Sequence, residues 1–210
     1  MLDVLVVIMA RKDSKRIPEK NMKHFCNIPL IEYTLTCAKQ MGLPTAIFTD
    51  FDRIKGLTNA WHPQVMVFDQ PKEFQEENVT SVQQFKYVHS KLPAKTTVLL
   101  QPTTPVRNPY NIMAYIKQFL ESGADSGFSV VRKHLECYTL EGQNLNGSGK
   151  DRKEILVANG SFFIFNDTYV DHDHIIHGKQ LMFEDSYLVD LDTEDDWKKA
   201  EILANGGYYE

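Results

Sequence analysis

The chain is short of cysteine, of long apolar runs and of positive charge, and each shortage argues against a class of protein. Its three cysteines, Cys26, Cys37 and Cys137, are odd in number and widely spaced, with no CxxC or Cys/His ligand spacing. Neither a disulfide scaffold nor a structural zinc site fits, and reduced thiols in a cytoplasmic protein are the expectation. No stretch approaches the roughly 18 consecutive apolar residues of a membrane span. The opening apolar run, Leu2 to Met9, is short and lacks the basic lead of a secretory signal, so it reads as a buried strand. A net charge of −5 argues against a general nucleic-acid binder. The histidines make no ligand cluster, and His172, His174 and His177 read as solvated loop residues.

What is present suits one full-sized domain: 210 residues, 42% hydrophobic and 24% charged. A chain of this length buries roughly 70% of its unfolded surface without covalent staples. Its charge is uneven. Arg11, Lys12, Lys15, Arg16, Lys20 and Lys23 are set against only Asp13 and Glu19, so residues 11–23 carry +4 and the remainder −9. A basic island in an acidic protein points to a local anionic ligand or to a solvated loop, and composition leaves both open.

Apolar β-branched runs alternate with amphipathic segments. Strands are expected over Val4–Met9, Thr45–Thr49, Val65–Phe68, Thr97–Leu100 and Ser126–Val131. Helices are expected from about Pro29, over Arg53–Ala60, over Thr80–Lys91 and from the N-cap Asn108 to Ser122, with Gly123 beyond. This alternation predicts an α/β fold, a doubly wound, mostly parallel sheet with ligand-binding loops along one edge. The pattern lapses after Arg132, with a turn-rich tip over Gln143–Lys150. Residues 132–158 are expected to form an extended arm, likewise a dimerisation element, between a nucleotide-binding core of 1–131 and its completion in 159–210. That last part carries expected strands over Gly160–Phe165 and Ser186–Asp190 and a helix over Thr193–Ala204.

The loop after the first strand, Ala10-Arg-Lys-Asp-Ser-Lys-Arg-Ile-Pro-Glu-Lys-Asn21, contains no glycine, so neither the dinucleotide nor the Walker pattern applies. It offers spaced cations, a hydroxyl and a stiffening proline. Arginine forks onto phosphate oxygens and lysine adds a compact charge, so such a loop suits a triphosphate. The segment resembles the signature of the acylneuraminate cytidylyltransferases, A-R-x-x-S-K-x-[IL]-P-x-K-N, at Ala10, Arg11, Ser14, Lys15, Ile17, Pro18, Lys20 and Asn21. The resemblance recurs in order along the chain. Ile28-Pro-Leu-Ile31 is similar to K-P-L-I, and Phe48-Thr-Asp-Phe-Asp52 with Ile54 to S-T-D-x-x-x-I. Leu99-Leu-Gln-Pro-Thr-Thr-Pro-Val-Arg107 resembles L-L-Q-P-T-S-P-L-R, Asn159-Gly160 resembles N-G-x-x-Y, and the run from Val189 to Asp196 resembles D-I-D-T-x-x-D.

The resemblance implies a Rossmann-like nucleotidyltransferase fold, a homodimer, and transfer of CMP from CTP to a 2-keto sugar acid with release of pyrophosphate. It further implies Arg11, Lys15 and Lys20 as catalytic cations, and Ala10, Arg11, Ser14, Lys20, Asn21 and Ser81 around the nucleotide. Gln101 and Asn159 would meet the sugar acid, and Asp190 and Asp192 would bind Mg2+. By spacing alone, carboxylates at i and i+2 of a strand share a face and suit one hard cation. The other reading is helix capping, with a capping box from Thr193 to Asp196. Gln70-Pro71 and Val157 stand where the family usually has arginine, which leaves the acceptor open among sialic-type acids and an eight-carbon ulosonate. Two further readings remain: a sibling nucleotidyltransferase using another nucleotide or sugar, and a non-catalytic nucleotide-binding relative.

Overall fold

The computed structural model describes residues 1–75, 79–185 and 190–205. From β1 (Leu2–Met9) the chain passes through the basic loop to a small ribbon, β2 (His24–Phe25) and β3 (Ile28–Pro29). Then come α1 (Leu30–Met41), β4 (Thr45–Thr49), α2 (Asp52–Trp61), β5 (Met66–Asp69), α3 (Ser81–Lys91) and β6 (Ala94–Leu100). The remaining elements are α4 (Pro109–Ser122), β7 (Ser126–Lys133), β8 (Ile155–Asn166), β9 (Gln180–Glu184) and α5 (Glu194–Asn205). Seven strands make one sheet in the order β5-β4-β1-β6-β8-β7-β9. The pairs β1–β4, β1–β6, β4–β5 and β7–β9 are parallel, while β8 runs antiparallel to both β6 and β7. The expected doubly wound, mostly parallel sheet is therefore what forms.

The period of two along β1 explains the layering. Val6 and Ile8 pack with Ile31 and Leu35 of α1 and Ile112 and Ile116 of α4. Leu5 and Val7 point the other way, into a cluster with Phe85 and Val88 of α3. Both faces of the central strand are covered, as a parallel sheet requires. Crossovers then bring the carboxyl ends of β1, β4 and β6 to one edge, where the basic loop lies. Local signals hold at the helix ends. Asn108 Oδ1 accepts from the N–H groups of Tyr110 and Asn111, and Gly123 closes α4 in the left-handed conformation.

Three features differ from the expectation or extend it. The β2–β3 ribbon turns through Cys26 and Asn27 at φ 44° and 72°, a tight primed-type turn built without glycine. β7 runs on to Lys133 and β8 begins at Ile155, so the sheet ladder takes up both ends of the expected arm. The excursion is thus residues 134–154, pinned by Asn146, whose amide donates to the Leu135 and Lys153 carbonyls. β9 went unanticipated because Leu181-Met182-Phe183 is too short an apolar run to signal a strand. Tertiary bonds place it: the Asp125 N–H donates to the Lys179 carbonyl and its carboxylate accepts the Lys179 N–H, each at 2.8 Å. The strand expected over Ser186–Asp190 falls on 186–189, outside the described residues.

Candidate active site

The loop after β1 is built to hold its cations in place. The Ala10 carbonyl accepts from Thr49 Oγ1 at 2.5 Å and its N–H donates to the Phe48 carbonyl at 3.0 Å. One turn on, the Lys12 N–H donates to Asp50 Oδ1 at 2.6 Å, and Asn21 Nδ2 donates to the Arg11 carbonyl at 2.9 Å. Ile17 is buried against Phe25, Leu30, Leu191 and Trp197, anchoring the far end of the loop to α5. With both ends fixed, Arg11, Ser14, Lys15 and Arg16 line a cavity of about 540 Å³.

That cavity gathers every expected site residue except Ala10 and Asn159. Ala10 is fully buried, and both its backbone groups are engaged within the fold. Asn159 instead donates from Nδ2 to the Asp185 carbonyl at 3.0 Å and accepts from the Ser161 N–H. Residues outside that expected set also line the space: Met9, Arg16, Gln84, Phe85, Leu99, Pro102 and Thr103. Gln84 and Phe85 were legible, since they lie at i+3 and i+4 from Ser81 and so share its helical face. Arg16 carried a weaker signal, standing at a position the signature leaves open.

The acidic pair is held by a turn. The Asp192 N–H donates to the Asp190 carbonyl at 3.2 Å, closing a three-residue turn, so the carboxylates do not share a face by strand alternation. Both nevertheless line the cavity. The capping box expected beside them is present as well, with the Thr193 N–H on Asp196 Oδ2 and the Asp196 N–H on Thr193 Oγ1. Capping therefore falls to Thr193 and Asp196, and the Asp190–Asp192 turn precedes it. Lys20, buried, donates to the Leu191 carbonyl and to Asp192 Oδ1, both at 2.9 Å, while Arg16 sits 3.0 Å from Asp192 Oδ2. Asp190 is open to the cavity yet ringed by protein. That desolvation raises its carboxyl pKa, helped by Asp192 and opposed by a hydrogen bond from Thr103 and by Lys20.

Among the described residues, no group of three or more His, Cys, Asp or Glu side chains is arranged to hold a metal unaided. Two cavity-facing carboxylates suit instead a hard cation that completes its shell from water and phosphate oxygens, as Mg2+ does. The donor set fits. Four cations opposite two carboxylates leave the cavity net positive, the charge needed to receive a polyphosphate.

Gln101, at the end of β6, rests on Gly160. A β-carbon there would fall 2.8 Å from Gln101 Oε1, and the residue has φ +71°, so glycine serves both close approach and backbone conformation. Gly160 is thus the member of the Asn159-Gly160 pair that touches the cavity wall. Neither Gln70 nor Val157 lines the cavity: Gln70 is buried at the end of β5, and Val157 pairs with Val131 in the β7–β8 ladder. Among the described residues, no helix is long and apolar enough to cross a membrane.

The mostly parallel sheet flanked by helices is the fold of the nucleotidyltransferases. The solved structure of a CMP:2-keto-3-deoxy-manno-octonic acid synthetase complexed with CTP superposes with a TM-score of 0.77 over 98% of this chain and 99% of that one, at 13% identity. The sequence pattern of the cytidylyltransferase family matches residues 5–194, and the chain belongs to that family. It is 27% identical to N-acylneuraminate cytidylyltransferase A of Danio rerio, over 94% of this chain and 50% of the relative. It is 25% identical to the CMP-N,N'-diacetyllegionaminic acid synthase of Legionella pneumophila, over 95% of each. The chain thus spans about half the length of the N-acylneuraminate relatives and nearly all of the legionaminic one.

Proposed function

We propose that this chain transfers CMP from CTP to the anomeric hydroxyl of a 2-keto sugar acid of the sialic type, releasing pyrophosphate. The observation that carries the reading is the meeting of the glycine-free basic loop and the Asp190–Asp192 turn in one cavity at the sheet's carboxyl edge. Its likeness in sequence to an N-acylneuraminate cytidylyltransferase and to a CMP-N,N'-diacetyllegionaminic acid synthase supports it. The anomeric oxygen forms the new bond to the α-phosphorus, its proton is lost to solvent, and the bond to the departing pyrophosphate breaks.

Each residue has a role consistent with its contacts. Arg11 and Lys15 screen the triphosphate and the charge growing on the leaving group, and the Ser14 hydroxyl orients it. Lys20 divides its ammonium between Asp192 and the Leu191 carbonyl, so it fixes the acidic turn while adding positive potential. Asn21 acts through the loop, holding the Arg11 carbonyl. Ser81 contributes from the start of α3, and the Gln101 amide meets a carboxylate or hydroxyl of the acid. Asp190 and Asp192 would hold Mg2+, which when bound neutralises phosphate charge. The excursion over 134–154 exposes Leu135, Tyr138, Leu140 and Leu145, and a second copy of the chain is its proposed cover.

Pyrophosphate release with Mg2+, measured across four nucleotides and a panel of 2-keto sugar acids, tests the reading. Turnover with CTP and one acid is expected. Turnover with a different nucleotide or a neutral sugar phosphate would replace it with a sibling reaction, and absence of nucleotide binding by calorimetry would overturn it. Light scattering on the same sample should give a dimer, and a monomer would sink the role assigned to 134–154.

A further inference from the structure

We infer that Arg107 is a positioning residue that sets the Gln101 side chain and, through the same loop, the acidic turn. It lies outside the cavity lining, yet its guanidinium reaches back across the loop that follows β6 and donates to three separate elements. Nη2 donates to the Gln101 carbonyl at the end of β6, Nε to the Ser161 carbonyl of β8 at 2.8 Å, and Nη1 to Thr34 Oγ1 of α1 at 3.0 Å. The two carbonyls flank the contact between Gln101 and Gly160. Fixing both fixes where the Gln101 amide sits.

The loop that Arg107 anchors also carries the acidic turn. The Thr103 carbonyl accepts the Leu191 N–H at 2.8 Å, and Thr103 bonds the Asp190 carboxyl. Gln101 on one side and Asp190–Asp192 on the other thus hang from one short segment, itself closed by the Thr104 N–H on the Gln101 carbonyl. Half-buried among these groups, the guanidinium is desolvated and its pKa falls to about 10, so it remains charged at neutral pH. A planar fork can address acceptors on three elements at once. A lysine's three N–H donors all radiate from one nitrogen and do not spread as the fork's do, so arginine is the residue the geometry favours.

The assignment rests on the proposed reaction only for its kinetic assay. Arg107→Lys is the variant, with thermal melting to establish that it folds. Hydrogen exchange at the Thr104 and Leu191 amides should quicken in the variant while exchange in β1 and β4 stays as in the wild type. In turnover, kcat/KM for the sugar acid should fall about tenfold or more, since small misplacements of orienting groups carry penalties of that size. KM for CTP should stay within about twofold, because none of the three ties reaches the basic loop. In a Gln101→Ala background the same substitution should cost much less, the non-additivity expected of residues acting through one another.

Wild-type kinetics and wild-type exchange in Arg107→Lys would overturn the inference. So would an equal loss in both backgrounds with exchange raised throughout, which is the signature of a general packing role. If the wild type itself shows no turnover but the two amides still respond locally, the reaction is misread and the positioning role stands. Should Arg107→Lys fail to fold, Thr34→Val removes one of the three acceptors, and the same two amides report a smaller change in the same direction or refute the role.

Discussion

In a Gly160→Ala variant the new methyl would lie 2.8 Å from Gln101 Oε1 and 3.9 Å from Asp190 Oδ2, at a backbone φ of +71°. Two costs of different kinds follow. Holding a β-carbon in the left-handed region costs about 1–2 kcal/mol. The close contact is with the free end of a flexible side chain, so Gln101 swings away and the backbone stays. For a domain of this size each kcal/mol lowers Tm by roughly 2–4 °C, giving an expected drop of about 2–8 °C. The second cost is chemical. A displaced amide would lose the proposed hydrogen bond to the acid, worth about 1.5–3 kcal/mol if the partner is a carboxylate. At about 1.4 kcal/mol per decade this lowers kcat/KM for the acid about 10- to 150-fold. Calorimetric CTP affinity should hardly change, since the basic loop is untouched. The measurements are a thermal melt, steady-state pyrophosphate release and CTP titration on one preparation. A normal kcat/KM for the acid alongside the lowered Tm would refute the idea that Gly160 places Gln101. Loss of CTP affinity in parallel would refute the separation of the two subsites.

Other perturbations test other parts of the argument. Asp190→Asn should abolish turnover while leaving the melting temperature near that of the wild type, and activity surviving at ordinary Mg2+ would disprove the metal assignment. Lys20→Met removes the bonds to the Leu191 carbonyl and Asp192, so the urea midpoint should report a loss of about 1.5–3 kcal/mol. An unchanged midpoint would mean Lys20 does not secure the acidic turn. Asp125 has its pKa lowered chiefly by the Lys179 backbone N–H and then by Asn166, so its stabilising contribution is present above the ordinary carboxylate range and is lost as pH falls through its lowered value. Melting temperatures of wild type and Asp125→Asn should therefore differ steadily at neutral pH and converge below about pH 4. A gap that persists into acid would show that β9 is held by something else.

The sequence by itself determined the layers of the fold and the charged segments that meet at its edge. The unbroken apolar run Leu5–Ile8, the Asn108 and Gly123 helix ends and the Thr193–Asp196 box are local patterns whose meaning depends on near neighbours. The basic loop was equally legible because its cations are adjacent in the chain, and so was Asp190 with Asp192. Only the tertiary structure decided how those groups are used. It turned Asn159 toward the Asp185 carbonyl, set Gly160 under Gln101, spent Lys20 on the far end of the chain and recruited Leu181-Met182-Phe183 as an edge strand. It also sent Arg107 to acceptors on three segments, 6, 54 and 73 residues away in the chain. The physical reason is range. Backbone periodicity and caps act over a few residues, whereas the partner of a buried charge or a close-packed glycine is chosen by whichever segment the fold brings within hydrogen-bond distance.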